Sequence, residues 1–379
     1  MATSTCERLS PGIVRDAIIK VLSISPNPLC PKEIEEQVSF YIGEEAPSSS
    51  IRSYLRLNTP DLFVRSERGQ YTLKLVEEQK NPEQSYQAQY PSFNYNNTTL
   101  FNTDCFDWLN LQPNNSIHAI VTDPPYGLVE YSPDQLIKLR NGKGGTWRIP
   151  PAYDGSERAP LPRFTTLTSN QIEDIKVFFY KLGKLLNLKL VPGANVVIAS
   201  NPLLSYMVSL ALAESGLERR GEIIRLTMTL RGGDRPKAAH KEFSEVSVMP
   251  RSMWEPWVVF RKPIQGRVQD NLREWGTGGF RRPSADKPFG DVISSAPTRQ
   301  KEKEIAPHPS LKPQAFLRTL VRGVLPLGTG TVCDPFAGSG STLAAAAAIG
   351  YHCIGIERDN EYFDLAKKAI PELSKLPTK

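Results

Sequence analysis

Residues 332–350, VCDPFAGSGSTLAAAAAIG, constrain the fold more than any other stretch. An apolar strand candidate runs into Asp334, Pro335 and Phe336, turns through Gly338-Ser339-Gly340 and continues as an alanine-rich helix. Glycines let the backbone turn tightly and approach a ligand, and a helix N-terminus presents free N–H groups. Alone, such a turn either holds a ligand or merely joins strand to helix. The next strand candidate, HCIGIERD, ends in Glu357, an acid placed to hydrogen-bond both hydroxyls of a ribose. The turn lacks the Lys-Ser/Thr ending of a triphosphate cradle. A nucleoside without polyphosphate, S-adenosylmethionine among them, and a dinucleotide both fit the pattern.

From residue 99 onward strand and helix candidates alternate. Strands are expected at 99–101, 118–122, 195–199, 222–227, 256–261, 331–334 and 352–356, with helices at 170–187, 203–215, 313–324 and 341–349. This order argues an α/β domain, a mostly parallel sheet with helices on both faces. Residues 1–76 read differently. Apolar residues at helical spacing predict three helices, and DLFVRSERGQYTLK predicts a hairpin around Gly69. That is the order of a winged helix-turn-helix, whose third helix, carrying Arg52 and Arg56, would enter a DNA major groove. The same unit also serves protein contacts. Residues 77–98, rich in Gln, Asn, Pro and Tyr, read as a linker to a domain spanning 99–379.

Composition narrows the classes. No run approaches the roughly 18–20 apolar residues of a membrane span, and the N-terminus shows no secretory pattern, so a cytoplasmic protein is expected. The 5 cysteines are scattered without a CxxC pair, and the 4 histidines show no ligand spacing, so neither a disulfide framework nor a metal is expected. A net charge of +6 is a mild bias toward polyanions.

A second motif, VTDPPYG at 121–127, puts an acid, two prolines and a tyrosine after the strand candidate that ends at Thr122. Together, DPPY and DPFAGSG resemble the S-adenosylmethionine-dependent amino-methyltransferases of DNA bases. DPPY precedes FAGSG, as in the permuted β-group arrangement. WEPWVVFRKP (254–263), HPSLKP (308–313) and FNTDCFDWL (101–109) add to the likeness, which covers about 270 residues from 99 to 370. The resemblance implies a Rossmann-like methyltransferase fold with a seven-stranded sheet.

The chemistry explains the motif. An exocyclic amino nitrogen is a poor nucleophile because its lone pair is delocalised into the ring. Two acceptors holding its hydrogens improve it. The Asp123 carboxylate and the Pro124 carbonyl supply them, with Pro125 stiffening the loop and Tyr126 stacking on a base flipped from the duplex. Positioning is then the main contribution. The resemblance implies the same roles.

It also implies a cofactor site of Asp104, Cys105, Asp123, His308, Ser310, Lys312, Asp334, Phe336, Gly338, Gly340 and Glu357. In it Lys312 would pair with the methionine carboxylate, Asp104 and the Cys105 backbone would meet the adenine, and Glu357 would bind the ribose. Aspartate at the head of the motif points to N6 of adenine, with N4 of cytosine as the alternative. A winged-helix regulator with an inactive methyltransferase-like domain is the reading from another class.

Sequence recognition is expected from two irregular basic segments, 128–168 and 264–305. Lys143, Trp147 and Arg148 stand in the first and Arg281 and Arg282 in the second, while Arg231 and Arg235 lie between them. The expected partner is double-stranded DNA in a prokaryotic nucleoid. A second copy of the chain and a cognate restriction endonuclease stay open as further partners.

Overall fold

A computed structural model describes residues 13–25, 28–59, 63–66, 69–73, 89–141, 145–148, 161–231, 236, 239, 241–250 and 252–378; side chains at a few of these, Arg148 and Arg231 among them, are not described. The chain divides into two compact units, Met1–Asn81 and Pro82–Lys379.

The first unit holds α1 (Ile13–Ile24), α2 (Pro31–Ile42), α3 (Ser48–Leu57) and a hairpin of β1 (Phe63–Arg65) and β2 (Tyr71–Leu73). Proline opens α2, Glu33 reaches back to the Cys30 N–H at 2.6 Å, and Gly43 closes the helix at φ +75°. Ile18, Val21, Ile34, Val38, Ile51, Leu55 and Phe63 form the core. Leu29 exchanges two backbone hydrogen bonds with Tyr71, at 3.0 and 2.7 Å, and extends the hairpin by a bridge too short for the sequence to announce.

The second unit begins with β3 (Ser92–Tyr95), β4 (Thr98–Asn102), α4 (Cys105–Leu111) and β5 (Ile117–Thr122). There follow α5 (Pro133–Arg140), the short pair β6 (Trp147–Arg148) and β7 (Leu161–Pro162), α6 (Ser169–Lys189), β8 (Leu190–Ala199) and α7 (Ser205–Glu214). Next come β9 (Glu218–Arg231), β10 (Ser252–Arg261), α8 (Val268–Trp275), β11 (Val292–Ser294), α9 (Gln300–Ile305) and α10 (Gln314–Val324). The chain ends with β12 (Thr331–Asp334), α11 (Ser341–Ala348), β13 (His352–Glu357) and α12 (Asn360–Lys375).

Nine strands form one sheet in the order β11-β9-β10-β8-β5-β12-β13-β4-β3. The seven expected strands are its centre, and each edge carries one more. On one edge β3 pairs antiparallel with β4, so the expected linker 77–98 reaches into the sheet. On the other, β11 pairs parallel with β9. Only β10 and β3 run against the rest.

Strand β5 shows how the sheet is buried on both sides. Ile120 faces a core of Trp108, Phe179, Leu186 and Val208, from α4, α6 and α7. Ala119 and Val121 face Phe316, Leu320, Leu343 and Ile370, from α10, α11 and α12. Period-2 alternation between two apolar faces is what a strand covered by helices on both sides requires.

After β5 the chain crosses to β8 on one side, and after β12 it crosses to β13 on the other. Strand order therefore reverses between β5 and β12. The loops leaving their C-terminal ends open a crevice there, the usual ligand position in an open α/β sheet.

Candidate active site

Two strand ends meet at this crevice. Thr122 Oγ1 donates to Asp334 Oδ1 at 2.6 Å, and the Phe336 N–H donates to the same oxygen at 3.1 Å. Burial pushes the Asp334 carboxyl up to about 6, and the Thr122 hydroxyl pulls against that rise. The DPPY and DPFAGSG corners thus share one cleft, lined by Asp123, His308, Ser310, Lys312, Asp334, Phe336 and Gly338.

The glycine turn is shaped for close approach. Gly340, at φ +77°, caps α11, and a Cβ there would lie 2.5 Å from Ile370. Gly338, at φ +51°, lies under the His308 ring, where a Cβ would come within 3.2 Å. The Gly338 N–H donates to Glu357 Oε2 at 2.8 Å and the Asp359 N–H to Glu357 Oε1 at 2.8 Å. Burial nevertheless lifts the Glu357 carboxyl to about 7.

His308 accepts from the Ser310 N–H at 3.1 Å and meets the Tyr362 ring edge-on at 4.4 Å. Burial and the nearby Lys312 ammonium lower it to about 4, so it is a neutral acceptor. Ser310 and Tyr131 share a 2.7 Å hydrogen bond. Asp104 caps α4 through the Phe106 N–H at 2.8 Å. Its strand end adjoins Glu357, whose carbonyl accepts from Thr103 N–H at 3.1 Å and Asn102 Nδ2 at 3.0 Å. Cys105 is buried at the start of α4, and burial pushes its thiol well up, so it offers backbone rather than reactive sulfur.

These groups fit a nucleoside cofactor. A buried carboxylate stands at a strand end and accepts from the N–H of a glycine turn that opens a helix, with no arginine or lysine cluster for a polyphosphate among the described lining residues.

Lys312 lines the cleft and also reaches the acid-proline-tyrosine corner. Its ammonium is ion-paired with Asp123 Oδ2 at 2.5 Å and lies 3.3 Å from Glu255 Oε1. Tyr126 Oη lies 2.7 Å from Asp123 Oδ1 and 3.0 Å from Glu255 Oε1. Both Asp123 oxygens are thereby engaged. Burial raises the Asp123 carboxyl, Lys312 draws it back down, and Glu255 adds to the rise. Behind this cluster Arg225 donates to Glu255 Oε2 at 2.9 Å, across the directly opposed Arg225/Glu255 pair of β9 and β10.

Sequence reasoning missed Thr122, Glu255 and Arg225. The signal for the last two was a charge interrupting an apolar strand, as in WEPWVVF and EIIRLTM. Glu130 was missed too. It is buried and accepts from the Gly127 N–H at 2.9 Å, fixing the turn after Tyr126.

The DNA-contact residues divide. Trp147 is buried, with Nε1 donating to the Glu130 carbonyl at 2.7 Å and its ring edge-on to Tyr131, so it braces the loop after β5 instead of facing outward. Arg281 and the stretch around it lie at the wrong edge of the sheet. Asn271 and Thr277 bond the Pro192 carbonyl, Asn195 bonds the Gly279 carbonyl, and Arg281 donates to the Tyr351 hydroxyl. Pro192 and Tyr351 sit at strand beginnings and Asn195 midway along β8, whereas the crevice sits at strand ends. The first part of segment 264–305, including exposed Arg282, therefore packs away from the cleft, and only from β11 onward does it climb to the catalytic edge.

Arg52 is tied to Glu35 at 2.9 Å, and Arg56 is exposed. Lys143 and Arg235 lie outside the described residues, and of Arg148 and Arg231 only the backbone is described.

The doubly wound sheet, the switch-point crevice and an acid-proline-tyrosine corner sharing a cleft with the glycine turn are the marks of a group-transfer enzyme of the methyltransferase class. Residues 117–368 match the family model described as DNA methylase, N6_N4_Mtase, and the chain belongs to that family, whose methyl donor is S-adenosylmethionine. It is similar to the type II methyltransferase M2.DpnII of Streptococcus pneumoniae, 24% identical over 284 residues that cover 74% of this chain and 92% of the relative. It is also similar to the type II methyltransferase M.HindIII of Haemophilus influenzae, 22% identical over 291 residues covering 70% and 93%. Among solved structures it resembles TTHA0409 of Thermus thermophilus in complex with S-adenosyl-L-methionine, with a TM-score of 0.46, 19% identity and coverage of 73% of this chain and 94% of that one. Among the described residues no helix is long and apolar enough to cross a membrane.

Proposed function

We propose that this DNA methyltransferase acts on the exocyclic N6 of adenine in double-stranded DNA, on a base turned out of the duplex. The observation that carries the reading is the Thr122–Asp334 hydrogen bond, which brings Asp123 and the glycine turn to one cleft. S-adenosylmethionine supplies an electrophilic methyl group on a sulfonium sulfur. Glu357 would bind the ribose hydroxyls, and Phe336 with the Gly338–Gly340 turn would line the methionine and ribose side of the cofactor. Asp104 and the Cys105 backbone meet its adenine, and Lys312 meets its carboxylate.

The Asp123 carboxylate and the Pro124 carbonyl then accept the two amino hydrogens of the target base. That localises the nitrogen lone pair toward the methyl group, while Tyr126 bounds the base pocket. Alignment of the two reactants supplies most of the rate, and extruding the base costs a few kcal/mol, repaid by stacking and hydrogen bonds in the pocket. Aspartate at position 123 favours adenine over cytosine.

The first unit adds DNA contacts through α3. The type II naming of the two relatives supports a cognate restriction endonuclease as the functional counterpart in a prokaryotic cytoplasm.

The test is incubation with methyl-labelled S-adenosylmethionine and mixed-sequence DNA, followed by digestion to nucleosides and chromatography. Label in N6-methyl-2′-deoxyadenosine is the expected result. Label in N4-methyl-2′-deoxycytidine transfers the reading to cytosine, and cofactor binding with no label in DNA overturns it.

A further inference from the structure

We infer that Glu255 is a positioning residue of this active site, the alternative acceptor that takes over Tyr126 and Lys312 when Asp123 turns to the base. The inference rests on the methyl-transfer reading above and adds a residue to it.

Tyr126 has one hydroxyl proton and two carboxylates within reach, Asp123 Oδ1 at 2.7 Å and Glu255 Oε1 at 3.0 Å. Lys312 stands between the same two carboxylates, at 2.5 Å from Asp123 and 3.3 Å from Glu255. As it stands Asp123 has both oxygens occupied, yet the reaction needs one of them for an amino hydrogen. Releasing Asp123 takes an acceptor from the single proton of the Tyr126 hydroxyl and from one of the three donors of Lys312, in a site nearly closed to water, where unpaired polar groups are costly. Glu255 Oε1 already lies within reach of both. A short rotation of each donor moves the hydrogen bond across with no proton transfer and no group exposed.

Glu255 is itself fixed for this work. Its other oxygen is held by Arg225 Nη1 at 2.9 Å, and Arg225 Nε donates to Ser295 Oγ at 3.1 Å. The Arg225 guanidinium lies over the Phe316 ring, 5.4 Å from its centroid. The pair joins directly opposed residues of two strands inside the sheet, where both neighbours are hydrogen-bonded. A carboxylate serving only the fold would be satisfied by Arg225 alone. Oε1 is instead turned toward the reacting corner.

The charged and titratable groups around Asp123 are Lys312, Glu255, Tyr126, Glu130, Tyr131 and Asp334. Glu255 is the one whose charge the substitution Glu255→Gln removes while volume is retained. Because Glu255 adds to the rise of the Asp123 carboxyl, its neutralisation lowers that carboxyl and moves the acid limb of activity to lower pH.

The experiment compares wild type, Glu255→Gln and the double variant Arg225→Met/Glu255→Gln, which removes the buried pair together. Each is measured for thermal unfolding, S-adenosylmethionine affinity by calorimetry, and kcat, KM and the pH profile of methyl transfer. Expected for both variants is a kcat reduced at least about tenfold, KM for DNA and cofactor affinity within about threefold of wild type, and an acid limb displaced to lower pH. Folded variants with wild-type kcat and an unmoved limb overturn the role of Glu255. So does a loss confined to KM, or a loss that tracks unfolding and is restored in the double variant. Failure of the wild type to methylate DNA would instead overturn the underlying reading, so the two failures are separable.

Discussion

Thr122 Oγ1 and Asp334 Oδ1, 212 positions apart in the chain, are joined at 2.6 Å where β5 and β12 end side by side. Both residues are fully buried. Thr122→Val keeps the shape and removes the donor, leaving a buried carboxylate short of a partner, which costs about 1–3 kcal/mol. The sign with pH follows from the raised carboxyl. Asp334 sits near 6 in the fold, above its unfolded value, so its ionised form is the costly one and stability is lost as pH rises toward and through 6. Without the hydroxyl the carboxyl rises further. Urea unfolding should therefore show a larger deficit at pH 8 than at pH 5. Equal deficits at the two values would mean the hydroxyl does not stabilise the carboxylate.

In the proposed mechanism Asp123 is the group closest to the chemistry. Asp123→Ala is expected to lower kcat by at least about a hundredfold, the scale seen when one transition-state hydrogen-bond partner is removed. Cofactor affinity should stay within a few-fold, since Glu357 and the glycine turn are untouched. Calorimetry and single-turnover transfer on the same preparation check this. Joint loss of binding and transfer would place Asp123 in the cofactor site alone.

Cofactor affinity should depend on pH through Glu357. Its carboxyl, lifted to about 7 by burial, is ionised at pH 8 and largely protonated at pH 6. A carboxylate accepts from both ribose hydroxyls, and a protonated acid accepts less well. The dissociation constant of S-adenosylmethionine is thus expected to rise as pH falls from 8 to 6. Glu357→Gln should bind about tenfold more weakly at pH 8, the value of one hydrogen bond to a charged group. It should also show a flat profile. A wild-type profile that is itself flat would remove Glu357 from the ribose.

Trp147 was expected on the DNA and lies inside. Trp147→Phe keeps most of the ring and removes the 2.7 Å bond to the Glu130 carbonyl. A loss of about 1–2 kcal/mol on unfolding is expected, with equilibrium affinity for non-cognate DNA unchanged. A stable variant with weakened DNA binding would return the indole to the interface.

What the sequence disclosed follows from how each feature is encoded. The strand at 331–334 was expected within its observed limits, because Asp-Pro and the glycines that follow punctuate the chain locally. The edge strands were invisible. Ser92–Tyr95 alternates only between exposed and half-buried positions, and Val292–Ser294 is three residues long, so neither carries an apolar period. A cation beside the catalytic corner was legible in HPSLKP. Its partner was not, since the distance from Lys312 to Asp123 is set by the meeting of α10 with β5 and not by neighbours in sequence. The edge reached by Arg281 was recoverable in principle. A loop leaving β10, which runs against β8, must emerge at strand beginnings, and the basic composition of the loop obscured that geometric fact.

The first unit poses the last test. Its third helix presents Arg56 to solvent, while the Arg52 guanidinium is shared with Glu35, which also accepts from Ser48 Oγ at 2.8 Å. A cation already paired with a carboxylate releases less counterion on meeting a phosphate than a free one. Arg56→Gln is therefore expected to flatten the dependence of log affinity on log salt by about 0.9, one phosphate contact on duplex DNA, and Arg52→Gln by less. Deleting residues 1–81 should lower DNA affinity by at least the Arg56 effect while cofactor binding by the second unit persists. Fluorescence anisotropy on one duplex at several salt concentrations measures all three. If the slope and affinity of the truncated chain equal those of the full chain, α3 does not touch phosphate, and the unit addresses a protein.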